Sequence, residues 1–522
     1  MMHSAGKDIL IGIDAGTSVI KSVAFDLAGR QLAVAALPNR YTTRADGAAF
    51  QPLAQTWADC AQTLRDLAKQ LPQLARRTAA VSVTAQGDGT WLVGADNRPV
   101  TDGWIWLDAR AAETAQRLRA QPSETARFAA TGTGLNACQM GVQLAHMQQH
   151  TPALLDQAEV ALHPKDWLYL NLTGQRVTDP SEACFTFGDF RSRSYAPAVI
   201  EALGLTGRHS LLPEIVDGSQ ITHPLTEQAA GQTGLLAGTP ISLGFVDVVC
   251  TALGAGIYAA DGQAVGCTII GSTGMHMMAK AADQVQLNAE GTGYVMLLPI
   301  AGMVAQIQSN MASTLNIDWA LALAGDLAAE LGQTVSKADL LARIDGWLAQ
   351  SQPAGLLYHP YISEAGERGP FVNPRARASV IGLNSTHRFA DLMRAVIEGL
   401  GFAARDCYGA MGTLPREVRL TGGAARSPGL RAVLAASLGA ATRVSQRAEA
   451  GAAGAAMMAA VANGHYASMT DCIAEWASPA LGPSLAPDPQ LAATYAAAFP
   501  TYLESRKALS PIWDGLAQRQ DP

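Results

Sequence analysis

The chain has 522 residues, and at about 150 residues per domain this length allows three or four domains, or two large ones. Charged residues make up 16% of it, against about 25% in a typical soluble protein, and the formal net charge is −7. This negative balance disfavours nucleic acid and anionic membrane surfaces as partners. Seven cysteines without a C-x-x-C pair argue against a zinc site or a disulfide framework, and they favour a reducing cytoplasm.

The first predicted elements form a hairpin. Residues 8–13 are an apolar strand that stops at Asp14, and residues 20–26 form a second strand. An amphipathic helix over residues 57–70 and a buried strand over residues 79–84 follow. This alternation predicts α/β layers, in which functional loops lie at the ends of strands.

The second half of the chain opens with a similar pattern. Residues 264–270 are typical of a strand, which breaks at a Gly/Thr turn and resumes over residues 275–279. This echo of the first hairpin predicts two related lobes, residues 1–252 and 253–522. A proline-rich connector precedes a last predicted helix, residues 490–508, which we expect to pack back on the body of the protein.

The turn after the first strand is a candidate phosphate-binding loop. Gly16 allows a tight turn, so that backbone N–H groups and the hydroxyls of Thr17 and Ser18 can face a phosphate. Asp14, at the strand end, can hold Mg²⁺ through water. An ordinary Asx turn in a hairpin is an equal alternative for this segment taken alone.

Two further glycine-containing turns follow predicted strands. Gly271-Ser272-Thr273 has the composition of a second phosphate loop, with a plain hairpin turn as the alternative. Gly422-Gly423-Ala424 would let an adenine lie against the backbone, although a plain strand-to-helix turn explains it equally well. A phosphate-binding loop in each lobe predicts that the two lobes together bind a polyphosphate between them. The P-loop pattern G-x-x-x-x-G-K-[ST] is absent from the sequence.

The order and spacing of these turns resemble the FGGY carbohydrate kinases, relatives of actin, hexokinase and heat-shock chaperone ATPases. Four further segments are similar to motifs of that family: residues 106–110 (W-x-D-x-R), 366–370 (G-E-R-x-P), 394–402 and 454–456. The resemblance implies an α/β fold of two actin-like (ribonuclease H-like) lobes around a catalytic cleft. It implies that the sugar or polyol binds mainly to the first lobe and ATP mainly to the second.

The resemblance also identifies a general base. Asp247 lies just past a predicted apolar strand, in a segment similar to the family's G-x-x-D. A carboxylate there accepts the proton of an alcohol while the phosphoryl group of ATP is transferred. Mg²⁺ is assigned to the same region, with Asp14 and Asp247 as its carboxylates. A helix N-cap is the alternative role for Asp247.

Substrate-binding residues are expected at Gln86, Asp88, Trp104 and Asp247. Gln86-Gly87-Asp88 stands where xylulokinases carry Gln-Met-His and glycerol kinases Gln-Arg-Glu. The short acceptor Asp88 suits the hydroxyls of a small polyol, with a solvated turn as the alternative. Trp104 is expected to form an apolar pocket wall, against core packing as the alternative. Cys138 replaces an aromatic residue of glycerol kinase, which argues against glycerol.

Residues 85–92 and 179–190 are most similar to the erythritol kinases within the family. This resemblance implies phosphorylation of a primary hydroxyl of erythritol to give erythritol 4-phosphate. A pentulose or pentitol kinase is the alternative enzyme, and a sugar- and ATP-binding sensor without phosphotransfer is the alternative of another class. The oligomeric state stays open, with a homodimer among the possibilities.

Overall fold

The structure is a computed structural model that describes residues 6–258 and 264–517. In chain order its strands are β1 (Ile9–Ala15), β2 (Val19–Asp26), β3 (Gln31–Pro38), β4 (Thr42–Thr43), β5 (Ala49–Gln51), β6 (Thr78–Ala85), β7 (Trp91–Val93), β8 (Gly103–Trp104), β9 (Val160–Leu162), β10 (Val177–Thr178), β11 (Gly188–Asp189), β12 (Ser194–Tyr195), β13 (Glu214–Ile215), β14 (Thr222–Pro224), β15 (Pro240–Leu243), β16 (Val265–Ile270), β17 (Gly274–Ala281), β18 (Tyr294–Leu297), β19 (Met303–Asn310), β20 (Leu357–His359), β21 (Ser379–Ile381), β22 (Glu417–Thr421) and β23 (Ala441–Val444).

The helices alternate with these strands. In chain order they are α1 (Leu53–Gln70), α2 (Leu74–Arg77), α3 (Ala112–Arg119), α4 (Glu124–Thr131), α5 (Met140–His150), α6 (Pro152–Gln157), α7 (Pro164–Thr173), α8 (Pro180–Phe187), α9 (Pro197–Ala202), α10 (Glu227–Thr233), α11 (Asp247–Gly254), α12 (Thr314–Glu330), α13 (Lys337–Leu341), α14 (Ile344–Gln350), α15 (Phe389–Ala410), α16 (Pro428–Leu438), α17 (Ala450–Ala462), α18 (Met469–Ala477) and α19 (Pro489–Ala517). Short 3₁₀ helices lie at Thr206–Leu211, Ala282–Gln284, Gly423–Arg426 and Ser478–Ala480. None of the helices within residues 6–258 and 264–517 is long and apolar enough to cross a membrane.

The first large sheet has the strand order β14-β15-β6-β1-β2-β3. Strands β1, β2 and β3 pair antiparallel, whereas β6 runs parallel to β1, and β15 runs parallel to β6. Side chains of β1 alternate between two hydrophobic clusters, since Ile9 and Ile11 face one and Leu10 faces the other. A strand covered on both faces needs a continuous apolar sequence, which explains the uninterrupted run at residues 9–13.

The second large sheet repeats this arrangement in the order β18-β19-β17-β16-β22-β23. Strands β16, β17 and β19 form an antiparallel meander, and β22 and β23 continue parallel on the other side of β16. Each sheet therefore contains three antiparallel strands followed by two parallel ones, and each has one further antiparallel strand at an edge, β14 in the first sheet and β18 in the second. The two sheets agree with the predicted α/β class and with the predicted repeat of the strand pattern in the two halves of the chain.

Helix α17, from the second half of the chain, packs directly against β1 and β6 of the first sheet and against α11. These elements approach closely because glycines line their contact. A Cβ at Gly12 of β1 would overlap the carbonyl of Ala452 in α17, and a Cβ at Gly454 of α17 would overlap the carbonyl of Cys250 in α11. One hydrophobic cluster thus contains residues of both halves. The predicted division near residue 252 stays a prediction.

The last helix, α19, is longer than the predicted span of residues 490–508, because it continues through two prolines to Ala517. Its buried aromatic side chains attach it to the second half of the chain. The ring of Tyr495 packs edge-on against Phe402, and Trp513 packs edge-on against Tyr361.

Candidate active site

Three of the predicted site segments meet at one edge of the first sheet. Asp14 is the penultimate residue of β1, Gln86 and Asp88 follow β6, and Asp247 begins α11 just after β15. Because β1, β6 and β15 are parallel neighbours, their carboxyl ends lie side by side. Val246, and not Asp247, is the N-cap residue of α11, so the alternative role of Asp247 as an N-cap is wrong.

The three carboxylates of these segments interact electrostatically with one another or with Glu182 of α8. Burial raises the pKa of Asp247 well above its ordinary value, and the negative charges of Asp14, Glu182 and Asp88 add to the rise. Burial raises the pKa of Asp14 to about 6, although Lys21 opposes the shift. Asp14 and Asp247 remain half-buried by solvent accessibility and so keep an opening to the cleft. Such a concentration of negative charge favours a bound proton or cation.

The turn after β1 is tied to the turn after β6 by a polar ring. The hydroxyl of Thr17 donates to Gln86 Oε1 at 2.7 Å and accepts from the indole N–H of Trp106 at 2.7 Å. Gln86 Nε2 donates to Gln51 Oε1 at 2.6 Å, and Gln51 Nε2 donates to the carbonyl of Thr17 at 2.9 Å. The predicted phosphate-binding Thr17 and substrate-binding Gln86 therefore hold each other in place, while Ser18 is exposed.

Asp88 presents one carboxylate oxygen without a partner. The thiol of Cys138 donates to Asp88 Oδ2 at 3.3 Å, whereas Asp88 Oδ1 is buried and has no hydrogen-bond partner among the described residues. Burial raises the pKa of Asp88 to about 6, and the charge of Glu182 adds to this, while Cys138 and Arg368 oppose it. Asp88 and Cys138, two positions where the sequence departs from related kinases, are thus in direct contact.

Trp104 has the packing neighbours of a core residue. Its ring belongs to a hydrophobic cluster with Leu92 and Met140, and the guanidinium of Arg110 covers it 3.5 Å from the ring centroid. These contacts favour core packing, the alternative, and the pocket-wall role of Trp104 stays a prediction. Trp106 contributes to the site through its indole N–H, which donates to the hydroxyl of Thr17.

The two candidate nucleotide turns of the second half are neighbours. They follow β16 and β22, which are adjacent parallel strands. The backbone N–H of Ser313 donates to the carbonyl of Ser272 at 2.7 Å, and the side chains of Ser272 and Thr273 stay exposed. Gly422 has a φ of 98°, and a Cβ there would overlap the carbonyl of Ile270, so only glycine fits. Around Gly423, in contrast, a Cβ would meet nothing within 4 Å.

Sequence reasoning assigned no role to Arg368, which the structure places near the first half of the chain. Its positive charge acts on Asp88 and Cys138. The backbone N–H of Arg368 donates to Glu367 Oε1 at 2.9 Å, as does that of Met311. The G-E-R-x-P segment could have drawn attention to Arg368, but a sequence motif alone does not indicate which residues lie near its arginine.

The comparisons with known proteins identify the class. Residues 9–254 match the N-terminal domain of the FGGY family of carbohydrate kinases, and residues 266–463 match its C-terminal domain. The chain belongs to this family, and it is a kinase that uses ATP to phosphorylate an alcohol group of a small sugar or polyol.

Individual relatives are similar over most of the chain. The erythritol kinase of Brucella abortus (strain 2308) is 63% identical over 510 residues, which cover 98% of each chain. The xylulose kinase of Escherichia coli (strain K12) is 28% identical over 436 residues, covering 81% of this chain and 84% of the relative. The crystal structure of gluconate kinase from Lactobacillus acidophilus superposes with a TM-score of 0.87 at 20% identity, covering 97% of this chain and 99% of the other. The predicted two-lobed fold and kinase class are confirmed.

Proposed function

We propose that this kinase transfers the γ-phosphoryl group of ATP to a primary hydroxyl of erythritol and so forms erythritol 4-phosphate. The observation that carries the proposal is the 63% identity over 98% of both chains to the erythritol kinase of B. abortus. Fold alone would not suffice, because one fold serves many substrates. The unpartnered Asp88 Oδ1 supports it, since this oxygen can accept a hydrogen bond from a polyol hydroxyl.

Asp247 is the general base in this proposal. An alcohol is a weak nucleophile at neutral pH, so its proton must leave as the bond to phosphorus forms. Burial and three neighbouring carboxylates raise the pKa of Asp247, which makes its carboxylate a stronger proton acceptor. The proton of the primary hydroxyl passes to an Asp247 carboxylate oxygen, while Asp88 holds another hydroxyl.

The residues around Asp14 fit a divalent cation. The charge of Asp14 raises the proton affinity of Asp247, and hard oxygen ligands of this kind suit Mg²⁺ together with water and phosphate oxygens. Within residues 6–258 and 264–517, no group of three or more His, Cys, Asp and Glu side chains is placed to hold a metal. When bound, Mg²⁺ neutralises charge on the transferring phosphoryl group.

The nucleotide contacts are assigned to the glycine-containing turns. Because the Thr17 hydroxyl donates its proton to Gln86, the Thr17-Ser18 turn offers the phosphates its backbone N–H groups and the exposed Ser18 hydroxyl. The Gly271-Ser272-Thr273 turn offers them the exposed hydroxyls of Ser272 and Thr273. Gly422-Gly423-Ala424 lies beside the second turn, where it offers a flat backbone surface to the adenine.

A coupled assay of ADP release tests the proposal. The purified enzyme is given ATP and Mg²⁺ with erythritol, threitol, glycerol, xylitol, xylulose or ribulose. We expect the highest kcat/KM with erythritol, ATP turnover that requires the polyol, and a phosphate ester on a terminal carbon by phosphorus NMR. A higher kcat/KM with xylulose or xylitol would replace erythritol by the pentulose or pentitol alternative.

A further inference from the structure

Glu182 is a buried carboxylate for which the proposed reaction has so far no role. It lies in the first turn of α8, which begins sharply because Asp179 is the N-cap and Pro180 is the first helical residue. Its side chain is about 1% exposed. Neither of its carboxylate oxygens has a hydrogen-bond partner of good geometry among the described residues, although Oε2 lies 2.7 Å from His163 Nε2 as an ion pair.

A row of four buried ion pairs ends at this carboxylate, which it contacts through His163. Asp179 pairs with Lys165 at 2.6 Å, Lys165 with Asp166 at 2.8 Å, Asp166 with His163 at 3.3 Å, and His163 with Glu182 at 2.7 Å. Burial opposes the charge on the imidazole, but Glu182 and Asp166 outweigh it and raise the pKa of His163 to about 9. A charged imidazolium therefore orients Glu182 through Oε2 and leaves Oε1 without a donor.

Glu182 Oε1 lies against the substrate turn. A Cβ at Gly87 would be 2.9 Å from Glu182 Oε1 and 2.6 Å from a methyl group of Val246. The free oxygen is thus adjacent to the residue before Asp88, and Val246 is the residue before Asp247. The charge of Glu182 acts on both of these aspartates. Two buried acceptor oxygens, Asp88 Oδ1 and Glu182 Oε1, consequently flank one turn without a donor.

We propose that Glu182 binds a second hydroxyl of the substrate beside Asp88, and that the pair selects polyols over 2-ketoses. This inference rests on the proposed function. Buried acceptors without donors are unfavourable, and a polyol supplies a neutral O–H to each of them. A ketose presents a carbonyl oxygen instead of one hydroxyl, so two acceptors would face each other and binding would weaken.

The test is a binding measurement that needs no turnover. Calorimetry compares erythritol with butane-1,2,4-triol, which is erythritol without one interior hydroxyl, in the wild type, Glu182→Ala and Glu182→Gln. We expect the wild type to prefer erythritol by at least about tenfold, and Glu182→Ala to reduce that preference to about twofold or less. Glu227→Gln, a substitution of an exposed glutamate at the start of α10, is the matched control and should behave as the wild type.

Several outcomes would overturn the inference. If Glu182→Ala binds nucleotide normally and keeps both the affinity for erythritol and the preference over the triol, Glu182 serves only its ion pair with His163. A crystal structure of the wild type with the polyol decides the matter should both variants fail to fold. An oxygen of the ligand within about 3.2 Å of Glu182 Oε1 supports the inference, and its absence contradicts it.

The same experiments separate the two proposals. If the wild type binds erythritol and does not phosphorylate it, the proposed function fails while the effect of Glu182→Ala on binding still decides the role of Glu182. If the wild type binds xylulose at least as tightly as erythritol, selection of polyols over ketoses is contradicted.

Discussion

The thiol of Cys138 donates a hydrogen bond to Asp88 Oδ2, joining two residues that lie 50 positions apart in the chain. Removal of this donor by Cys138→Ala leaves a second buried oxygen of Asp88 without a partner, and the aspartate loses its orientation. We expect KM for erythritol to rise about threefold to tenfold, with a smaller change in kcat. Cys138→Ser keeps a donor and should retain most of the affinity. Equal KM values in the wild type and Cys138→Ala would show that the contact does not orient Asp88.

Asp247→Ala removes the general base. We expect kcat to fall by roughly 10²- to 10⁴-fold, because the hydroxyl proton then has no positioned acceptor. Nucleotide affinity, measured by calorimetry, should change little. Asp326→Ala, at an exposed position of α12, is the matched control and should keep wild-type kcat. A decrease of less than tenfold in kcat would assign the base to another residue.

The adjacent glycines Gly422 and Gly423 should respond differently to alanine. Gly423→Ala adds a methyl group in open space, so the thermal midpoint should stay unchanged while KM for ATP rises, because the methyl group occupies the space assigned to the nucleotide. Gly422→Ala forces a Cβ onto the carbonyl of Ile270 at a positive φ and should lower the thermal midpoint. Both variants are measured by thermal unfolding and by steady-state kinetics at varied ATP concentration. Unchanged KM for ATP in Gly423→Ala would contradict the assignment of this turn to the nucleotide.

His163 should make the stability depend on pH. Its pKa rises from 6.5 to about 9 on folding, against the cost of burial, because Glu182 and Asp166 stabilise the charged ring. The folded state then binds the proton more tightly than the unfolded state. The resulting stabilisation is complete below pH 6.5 and is lost as the pH rises through about 9.

We therefore expect the thermal midpoint of the wild type to fall between pH 6.5 and about 9, and the midpoint of His163→Gln to be lower at pH 6.5 and less sensitive to pH. His209→Gln, at an exposed histidine, is the control. Curves of midpoint against pH that run parallel in the wild type and His163→Gln would contradict a charged imidazole.

Much of the fold and part of the candidate site follow from local pattern. The apolar run at residues 9–13 and its counterpart before Gly271 predict buried strands, since strands covered on both faces need continuous apolar residues. A polar residue that follows such a strand lies at a sheet edge, which is why Asp14 could be placed in a functional loop, whereas the roles of Asp88 and Asp247 were predicted from the resemblance to the FGGY kinases.

Other features depend on side-chain direction, which a one-dimensional pattern does not contain. Trp104 and Trp106 lie two positions apart in the sequence, yet the first packs in the core and the second donates to Thr17. Glu182 sits within a segment used only for its resemblance to erythritol kinases. Its burial and its free oxygen follow from contacts with His163 and Gly87, which the sequence separates by 19 and 95 positions.

The sequence by itself determined the α/β class, the repeat of two sheets, the family and the turns that carry its chemistry, because strand periodicity and motif order are local properties. Only the tertiary structure decided that α17 crosses to the first sheet, that the charge of Arg368 acts on Asp88, and that a row of buried ion pairs ends at Glu182. These relationships arise when distant segments pack together. Burial removes water, so each buried charge or hydrogen-bond acceptor must be stabilised by the neighbouring groups that the fold brings to it.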